Sequence, residues 1–407
     1  MYNLRDYQTD LSIKGVEILK QLHIVYFAMQ VRTGKTITSL ETAKLYGAKK
    51  VLFLTKKKAI PSIESDYTNF KYSDHFELTV LNDESMHKNY NRFDLIIHDE
   101  HHRFGAFPKM GKYAKTFKQK YATLPIIFLS GTPHAESYSQ IFHQFFVSDY
   151  TPFTENSFYK WAKTYVDVKK IQLGYAIVND YKNAYYKKIQ PIINPYMITF
   201  TQDAAGFKTN VKETVLICNM KPETYELCKR IKRDRVIEGK DEVILADTAV
   251  KLQQKLHQLY SGTIKFESGN RMVIDNSKAI FIKEYFEGKR IGIFYKFKAE
   301  LIALKEVFKL TQDVEQFNDL EYDVIALQFI SGREGISLRT ADSLVYYNID
   351  FSAVTYFQSK DRLTTMQRKE NDVYWVFSRG GIEQKIYQSV IDKKDYTNRI
   401  FKKDFGI

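Results

Sequence analysis

Two cysteines in 407 residues, Cys218 and Cys228, leave no room for a disulfide framework and cannot complete a four-ligand zinc site. They read as indifferent thiols in a reducing compartment. Proline is scarce, at 8, and no Pro-, Gly- or Ser-rich tract marks a linker. No internal repeat of solenoid or propeller period is present. Long apolar runs are also missing: Ile24–Met29 and Leu124–Leu129 are of strand length, far too short to span a bilayer. The opening residues are interrupted by Arg5, Asp6 and Asp10, unlike a secretory leader. The expectation is therefore a cytoplasmic protein with no membrane partner. Acidic residues are in deficit, 48 against 61 basic, for a formal charge of +13. That excess suits a polyanion, although many basic proteins never bind one.

What is present is a hydrophobic fraction of 44% and a length that accommodates two or three full-sized cores. Short β-rich apolar runs at His23–Met29, Val51–Leu54, Phe93–His98 and Pro125–Leu129 alternate with helical patterns such as Ile37-x-x-Leu40-x-x-x-x-Leu45. A second set follows at Ile291–Tyr295, Asp323–Phe329, Leu344–Tyr347 and Val373–Phe377. Alternation of this kind predicts an α/β fold, with parallel sheets covered by helices on both faces. The stretch between the two sets, rich in Lys, Tyr and helix formers, reads as mostly helical. The resulting division is a first lobe over 1–149, an insertion packed on it over 150–215, a helical connector over 216–280 and a second lobe over 281–407.

The first strand runs into Gln30-Val31-Arg32-Thr33-Gly34-Lys35-Thr36, and a helical pattern follows. Strand, Gly-Lys-Thr and helix is the arrangement in which backbone N–H groups and a helix N-terminus face triphosphate oxygens. Lys35 would meet the β- and γ-phosphates, and the Thr36 hydroxyl would ligate Mg²⁺. Met29 stands where the full phosphate-loop pattern has its first glycine, so the match is partial. The strand ending at His98 is followed by Asp99-Glu100-His101-His102. Carboxyl ends of parallel strands are where ligand-handling residues gather. Asp99 would hold Mg²⁺ through water, and Glu100 would orient and deprotonate the attacking water. The adjacent histidines point apart and read as coupling or packing residues. In the middle stretch, Trp161 and Tyr165 read as core, and Lys163, Lys169, Lys170, Lys187 and Lys188 line either a phosphate track or a solvated face.

Taken in order, these residues resemble helicase superfamily 2, most closely its Swi/Snf-like and phage-encoded branches. Leu4-Arg5-Asp6-Tyr7-Gln8 is similar to the adenine-reading segment, with Gln8 on the base edge and Arg5 nearby. Thr33-Gly34-Lys35-Thr36 resembles motif I. Thr55-Lys56-Lys57 falls where motif Ia meets nucleic acid. Ser130-Gly131-Thr132-Pro133 resembles motif III, which links hydrolysis to lobe movement, making Ser130 and Thr132 coupling residues. Farther on, Ile293–Phe297, with Lys296, resembles motif IV. Ser331–Leu338, with Arg333 and Gly335, resembles motif V, and Gln358-x-x-x-Arg362 resembles motif VI. The resemblance implies two RecA-like lobes in tandem and ATP with Mg²⁺ between them. Arg362 would stabilise the transferring phosphoryl group, and Gly335 would line the nucleotide. Thr55, Lys56, Lys57, Lys296 and Arg333 would contact nucleic acid, and Gln358 would couple the lobes.

One position departs from the pattern. Thr365 stands where motif VI usually has its second arginine. Arg362 acts alone, Arg368 substitutes, or a partner supplies the charge. Four functions stay open: a DNA helicase or translocase, a duplex translocase that remodels protein–DNA complexes without strand separation, a slow ATP-switched nucleic-acid-binding module, and another phosphate-loop enzyme such as a nucleotide kinase. The resemblance further implies a monomer that works with replication or recombination proteins. Its compact size and Lys-, Tyr- and Ile-rich usage suggest a phage or bacterial source.

Overall fold

The computed structural model describes residues 3–88, 91–134, 137–173, 176–206, 210–239, 241–329, 337–352, 356 and 370–392. The chain divides into two compact units, Met1–Phe207 and Lys208–Ile407.

The first unit opens with helix α1 (Asp6–Leu22) and strand β1 (Ile24–Met29), followed by α2 (Lys35–Tyr46) and β2 (Lys50–Thr55). Helix α3 (Ile60–Asn69), β3 (Glu77–Asn82), β4 (Leu95–His98), α4 (Lys112–Tyr121) and β5 (Ile126–Ser130) continue the alternation. Then come α5 (Ile141–Phe146), α6 (Phe158–Tyr165), a ribbon of β6 (Lys169–Leu173) and β7 (Ala176–Asp180), α7 (Tyr186–Ile193) and β8 (Met197–Phe200). The main sheet has the order β3-β2-β4-β5-β1-β8, and every pairing in it is parallel. Parallel neighbours need crossovers, and the helices supply them.

Both faces of this sheet are covered, which is why its strands read as nearly continuous apolar runs. Val25 and Phe27 of β1 pack with Leu11 and Leu19 of α1 and Leu40 of α2. Ile24 and Tyr26 point the other way, toward Phe117, Phe142, Phe145 and Trp161. Trp161 is fully buried and stacks on Tyr165 at 5.2 Å between centroids, so the core reading of both residues is observed.

The second unit begins on β9 (Asn210–Cys218), followed by α8 (Pro222–Asp234) and a ribbon of β10 (Val236–Glu238) and β11 (Val243–Leu245). Helix α9 (Ala249–Tyr260), a ribbon of β12 (Thr263–Lys265) and β13 (Arg271–Val273), and α10 (Ser277–Tyr285) lead to β14 (Ile291–Tyr295). Helices α11 (Lys298–Val307) and α12 (Val314–Asn318), strands β15 (Val324–Gln328), β16 (Ser343–Tyr346) and β17 (Glu370–Ser378), and α13 (Glu383–Ile391) complete it. Its five-stranded sheet, β15-β14-β16-β17-β9, is again wholly parallel. Two RecA-like parallel-sheet lobes therefore follow one another in the chain.

The stretch between the two strand sets carries helices α6 to α10 and also three ribbons. Strands β8 and β9 extend from this stretch into the first and second sheets respectively. Among the described residues, no helix is long and apolar enough to cross a membrane. Cys218 and Cys228 are both buried, and burial pushes their thiols up to about 11 and about 12.

Candidate nucleotide site

Strands β4, β5 and β1 are consecutive neighbours, with Ile97 opposite Ile127 and Ala28 opposite Ser130. Their carboxyl ends emit, in that order, Asp99-Glu100, Ser130 and the Gln30–Thr36 loop. Neighbouring strands lie about 4.8 Å apart, so the acidic pair and the phosphate loop are set about 10 Å apart on one edge.

The loop is held in a tight curl. Arg32 and Gly34 have positive φ, 63° and 80°, and Gly34 is the N-cap of α2. The buried Thr33 donates its hydroxyl to the Gln30 carbonyl at 2.7 Å. Lys35 Nζ folds over the loop and donates to the carbonyls of Met29 (3.1 Å) and Gln30 (3.3 Å). Neither of these two contacts is to a carboxylate, while the Lys35 charge also acts on Asp99 and Glu100.

The start of α1 closes on this loop. Tyr7 donates to the Thr33 carbonyl at 3.2 Å, and Arg5 donates to the Tyr7 hydroxyl at 2.9 Å. Gln8 is buried, and its Oε1 accepts from the Arg5 backbone at 2.9 Å. A Cβ on Gly34 would fall 2.2 Å from Gln8 Nε2. Gln8 therefore serves as a backing for the loop in this structure. Strand β8 braces the other side. Gln30 donates its backbone N–H to the Phe200 carbonyl, and Gln202 bonds to Gln30 Oε1 (2.7 Å) and the Val31 carbonyl (3.0 Å). Phe200 stacks on Tyr7 at 4.7 Å. Nothing in the sequence marks Gln202 or Phe200, because their role comes from a parallel pairing across 170 residues of chain.

The acidic pair is partly buried. Asp99 Oδ2 accepts from the Thr55 hydroxyl at 3.0 Å, and Thr55 itself is only 1% exposed. The Thr55 hydroxyl, expected to meet nucleic acid, faces the acidic pair in this structure. Lys56 and Lys57 lie on the following turn, Lys57 exposed and Lys56 near enough to Glu100 to act on its charge. Burial first, then the neighbouring Glu100 charge, pushes the Asp99 carboxyl up to about 7. For Glu100, burial is outweighed by the hydrogen bond and charge of His102 and by Lys35 and Lys56, which bring it down to about 2. The two carboxyls titrate as a coupled pair, Asp99 pushed up and Glu100 held down.

His102 Nδ1 lies 3.2 Å from Glu100 Oε2 and 3.0 Å from Ser130 Oγ, and Ser130 Oγ accepts from the Thr132 backbone at 3.1 Å. His101 points inward. It stacks on Phe128 at 3.6 Å and contacts His98 (2.6 Å) and the Gln144 carbonyl (2.7 Å). His98 also meets Asp83 at 3.1 Å, and Asp83 pairs with Arg103 at 2.7 Å. Asp83 and Gln144 complete a buried network that sequence reading missed.

In the second unit, Lys296 is paired with Asp350 and its ammonium sits over the Phe351 ring at 4.1 Å. Its charge is thus paired within the unit, at a residue expected to contact nucleic acid. Beneath it, Glu300 accepts from the Lys296 and Phe297 backbones at 2.7 and 2.9 Å and from Asn348. Arg333, Gly335, Gln358, Arg362, Thr365 and Arg368 lie outside the described residues.

No protein-family model matches the chain. A yeast protein, DNA repair and recombination protein RAD26 of Saccharomyces cerevisiae, is 33% identical over 88 residues, which is 21% of this chain and 8% of that protein. The human DNA excision repair protein ERCC-6 is 22% identical over 259 residues, 53% of this chain and 17% of that protein. The chain thus spans less than a fifth of the length of these relatives. A solved structure, the Sulfolobus solfataricus SWI2/SNF2 ATPase core in complex with dsDNA, aligns over 99% of this chain and 92% of its own, at 16% identity and a TM-score of 0.42. Neither of the two sequence relatives supports a phage or bacterial source. The resemblance to helicase superfamily 2 thus rests on the ordered motifs of the sequence.

Proposed function

We propose that the chain is a nucleic-acid-dependent ATPase, a DNA translocase or helicase core that couples ATP hydrolysis to lobe closure and movement. The observation that carries the proposal is the clustering of Lys35, Thr36, Asp99 and Glu100 on the carboxyl edge of adjacent strands β4, β5 and β1, with His102 tying Glu100 to Ser130.

In this reading the loop N–H groups and Lys35 take the β- and γ-phosphates as Lys35 leaves the Met29 and Gln30 carbonyls. Thr36 and Asp99 would hold Mg²⁺. The donor set fits a hard divalent cation, since Asp99 is a carboxyl that burial and Glu100 leave short of positive charge. Bound there, Mg²⁺ would supply charge neutralisation of the phosphates. Glu100 is ionised and accepts from the attacking water, while His102 fixes its direction. Arg362 of the second lobe would complete the charge stabilisation. Arg5, Gln8 and Thr33 frame the nucleotide from the α1 side.

Substituting Lys35→Ala tests the reading directly. Stimulation of ATPase by nucleic acid should vanish, and retained stimulated turnover would overturn it. The Swi/Snf-like side of the resemblance favours translocation on duplex without strand separation. A triplex-displacement assay run beside a strand-displacement assay separates the two modes.

A further inference from the structure

Ribbon β6–β7 has one face whose side chains are all exposed, while Ile171 on the other is half-buried. In its register Lys170 lies opposite Asn179 and Gln172 opposite Ile177, and directly opposed residues share a face. Lys170, Gln172, Ile177 and Asn179 are all exposed, Ile177 at 72%. An isolated two-stranded ribbon is marginal in water, so this one depends on its base. The base is firmly tied. Val166 bridges Ala184, Asp167 donates its backbone N–H to the Asn183 carbonyl at 2.8 Å, and Tyr185 donates to the Tyr165 carbonyl at 2.7 Å. Ser137 donates its hydroxyl to the Lys182 carbonyl at 2.7 Å, and Ser139 donates to the Tyr181 carbonyl at 2.5 Å. Both serines follow Ser130-Gly131-Thr132-Pro133 closely in the chain. The ribbon is therefore fastened to the segment that His102 joins to Glu100.

The exposed face combines one lysine, two carboxamides and one aliphatic side chain. Lysine meets phosphate, carboxamides exchange their own partners for base or sugar edges (Asn179 Nδ2 donates to the Tyr181 hydroxyl at 3.1 Å), and the aliphatic group packs against a base or sugar. A two-stranded ribbon is also one of the two elements that the duplex major groove admits. Lys163, Lys169, Lys182 and Lys187 are exposed around the base, against Asp167 and Asp180. We infer that ribbon β6–β7 is a nucleic-acid-engaging arm. It presents Lys170, Gln172, Ile177 and Asn179 to duplex DNA and is moved through its ties to Ser137 and Ser139. The inference rests on the nucleic-acid-dependent ATPase reading and adds a contact surface outside the ordered motifs.

Both native cysteines are buried, so a thiol introduced on the ribbon can be labelled selectively. Full-length Gln172→Cys, carrying a thiol-linked photocrosslinker, should crosslink to a duplex, whereas Ile13→Cys on the exposed side of α1 should not. Lys170→Glu should weaken duplex binding by about tenfold and flatten the slope of log affinity against log salt by about 0.9. Ser137→Ala with Ser139→Ala should leave duplex affinity within twofold and lower displacement per ATP hydrolysed. Crosslinking at Gln172→Cys no higher than at Ile13→Cys, or wild-type affinity and salt slope in Lys170→Glu, would overturn the arm. If the unsubstituted protein shows no nucleic-acid-stimulated ATPase, the parent reading fails instead, and the two failures are told apart by that measurement.

Discussion

At the scale of single residues, the phosphate loop is governed by Gly34. Its φ of 80° disfavours a side chain, and Gln8 Nε2 occupies the space a Cβ would need. Gly34→Ala should therefore destabilise by about 2 kcal/mol, combining left-handed strain with displacement of Gln8. In the double variant Gly34→Ala, Gln8→Ala, the clash is relieved and the strain stays. Thermal melts of the single and double variants should thus show a partial recovery, and full recovery or none would contradict this assignment of causes. Glu100 makes a different case, because its effect is chemical. Glu100→Gln keeps the shape and the contact to His102 while removing the charge. Nucleotide affinity should hold while turnover falls by about 10²- to 10⁴-fold, which single-turnover kinetics beside nucleotide binding would resolve. The Lys35 and Asp99–Glu100 placements were legible because each follows a strand whose apolar pattern is clear. The burial of Thr55 against Asp99 was not, since it depends on β2 and β4 being neighbours.

At the scale of elements, the second unit depends on a buried junction at Asp275, which joins the entry to α8 to the start of α10. Its carboxylate accepts from the Lys221 backbone (2.8 Å), the Thr224 hydroxyl (2.7 Å) and the Ser277 backbone (2.9 Å). Burial alone would raise its pKa, but these hydrogen bonds outweigh it and hold the carboxyl below the usual range. A depressed folded-state pKa gives stability that is complete above the unfolded value of about 3.9 and lost as pH falls through the folded value. Asp275→Ala should cost about 3 kcal/mol at neutral pH, and denaturant titrations should show that difference shrinking below about pH 4. A pH-independent difference would mean the carboxylate is not the cause. Lys278 and Glu383 form a second buried junction, paired at 3.0 Å with both side chains at 0% exposure. Lys278→Met alone should destabilise by about 3–5 kcal/mol by stranding Glu383, while Lys278→Met with Glu383→Leu should recover most of that loss. Neither junction shows in the sequence, because each links residues that only the folded topology makes neighbours.

At the scale of the whole molecule, the excess of 61 basic over 48 acidic residues predicts salt-sensitive association with nucleic acid. The DNA concentration giving half-maximal ATPase should rise by about 10³-fold or more between 50 and 200 mM salt, with maximal turnover little changed. A salt-independent half-saturation would argue that the charge is dispersed and plays no part in binding. By itself the sequence determined the parts that depend on local order: strand periods, the Gly34-Lys35-Thr36 turn, the Asp99-Glu100 pair and the two-sheet division. Those features are set by near-neighbour sterics and by the need of each strand to bury both faces. Tertiary structure alone decided which side chains each of these parts would meet. It gave Thr55 to Asp99, Gln8 to Gly34, Gln202 to the phosphate loop, Lys296 to Asp350, and the β6–β7 ribbon to the serines after Ser130. The reason is that parallel pairing joins segments far apart in the chain, and no local pattern records which strand will lie beside which.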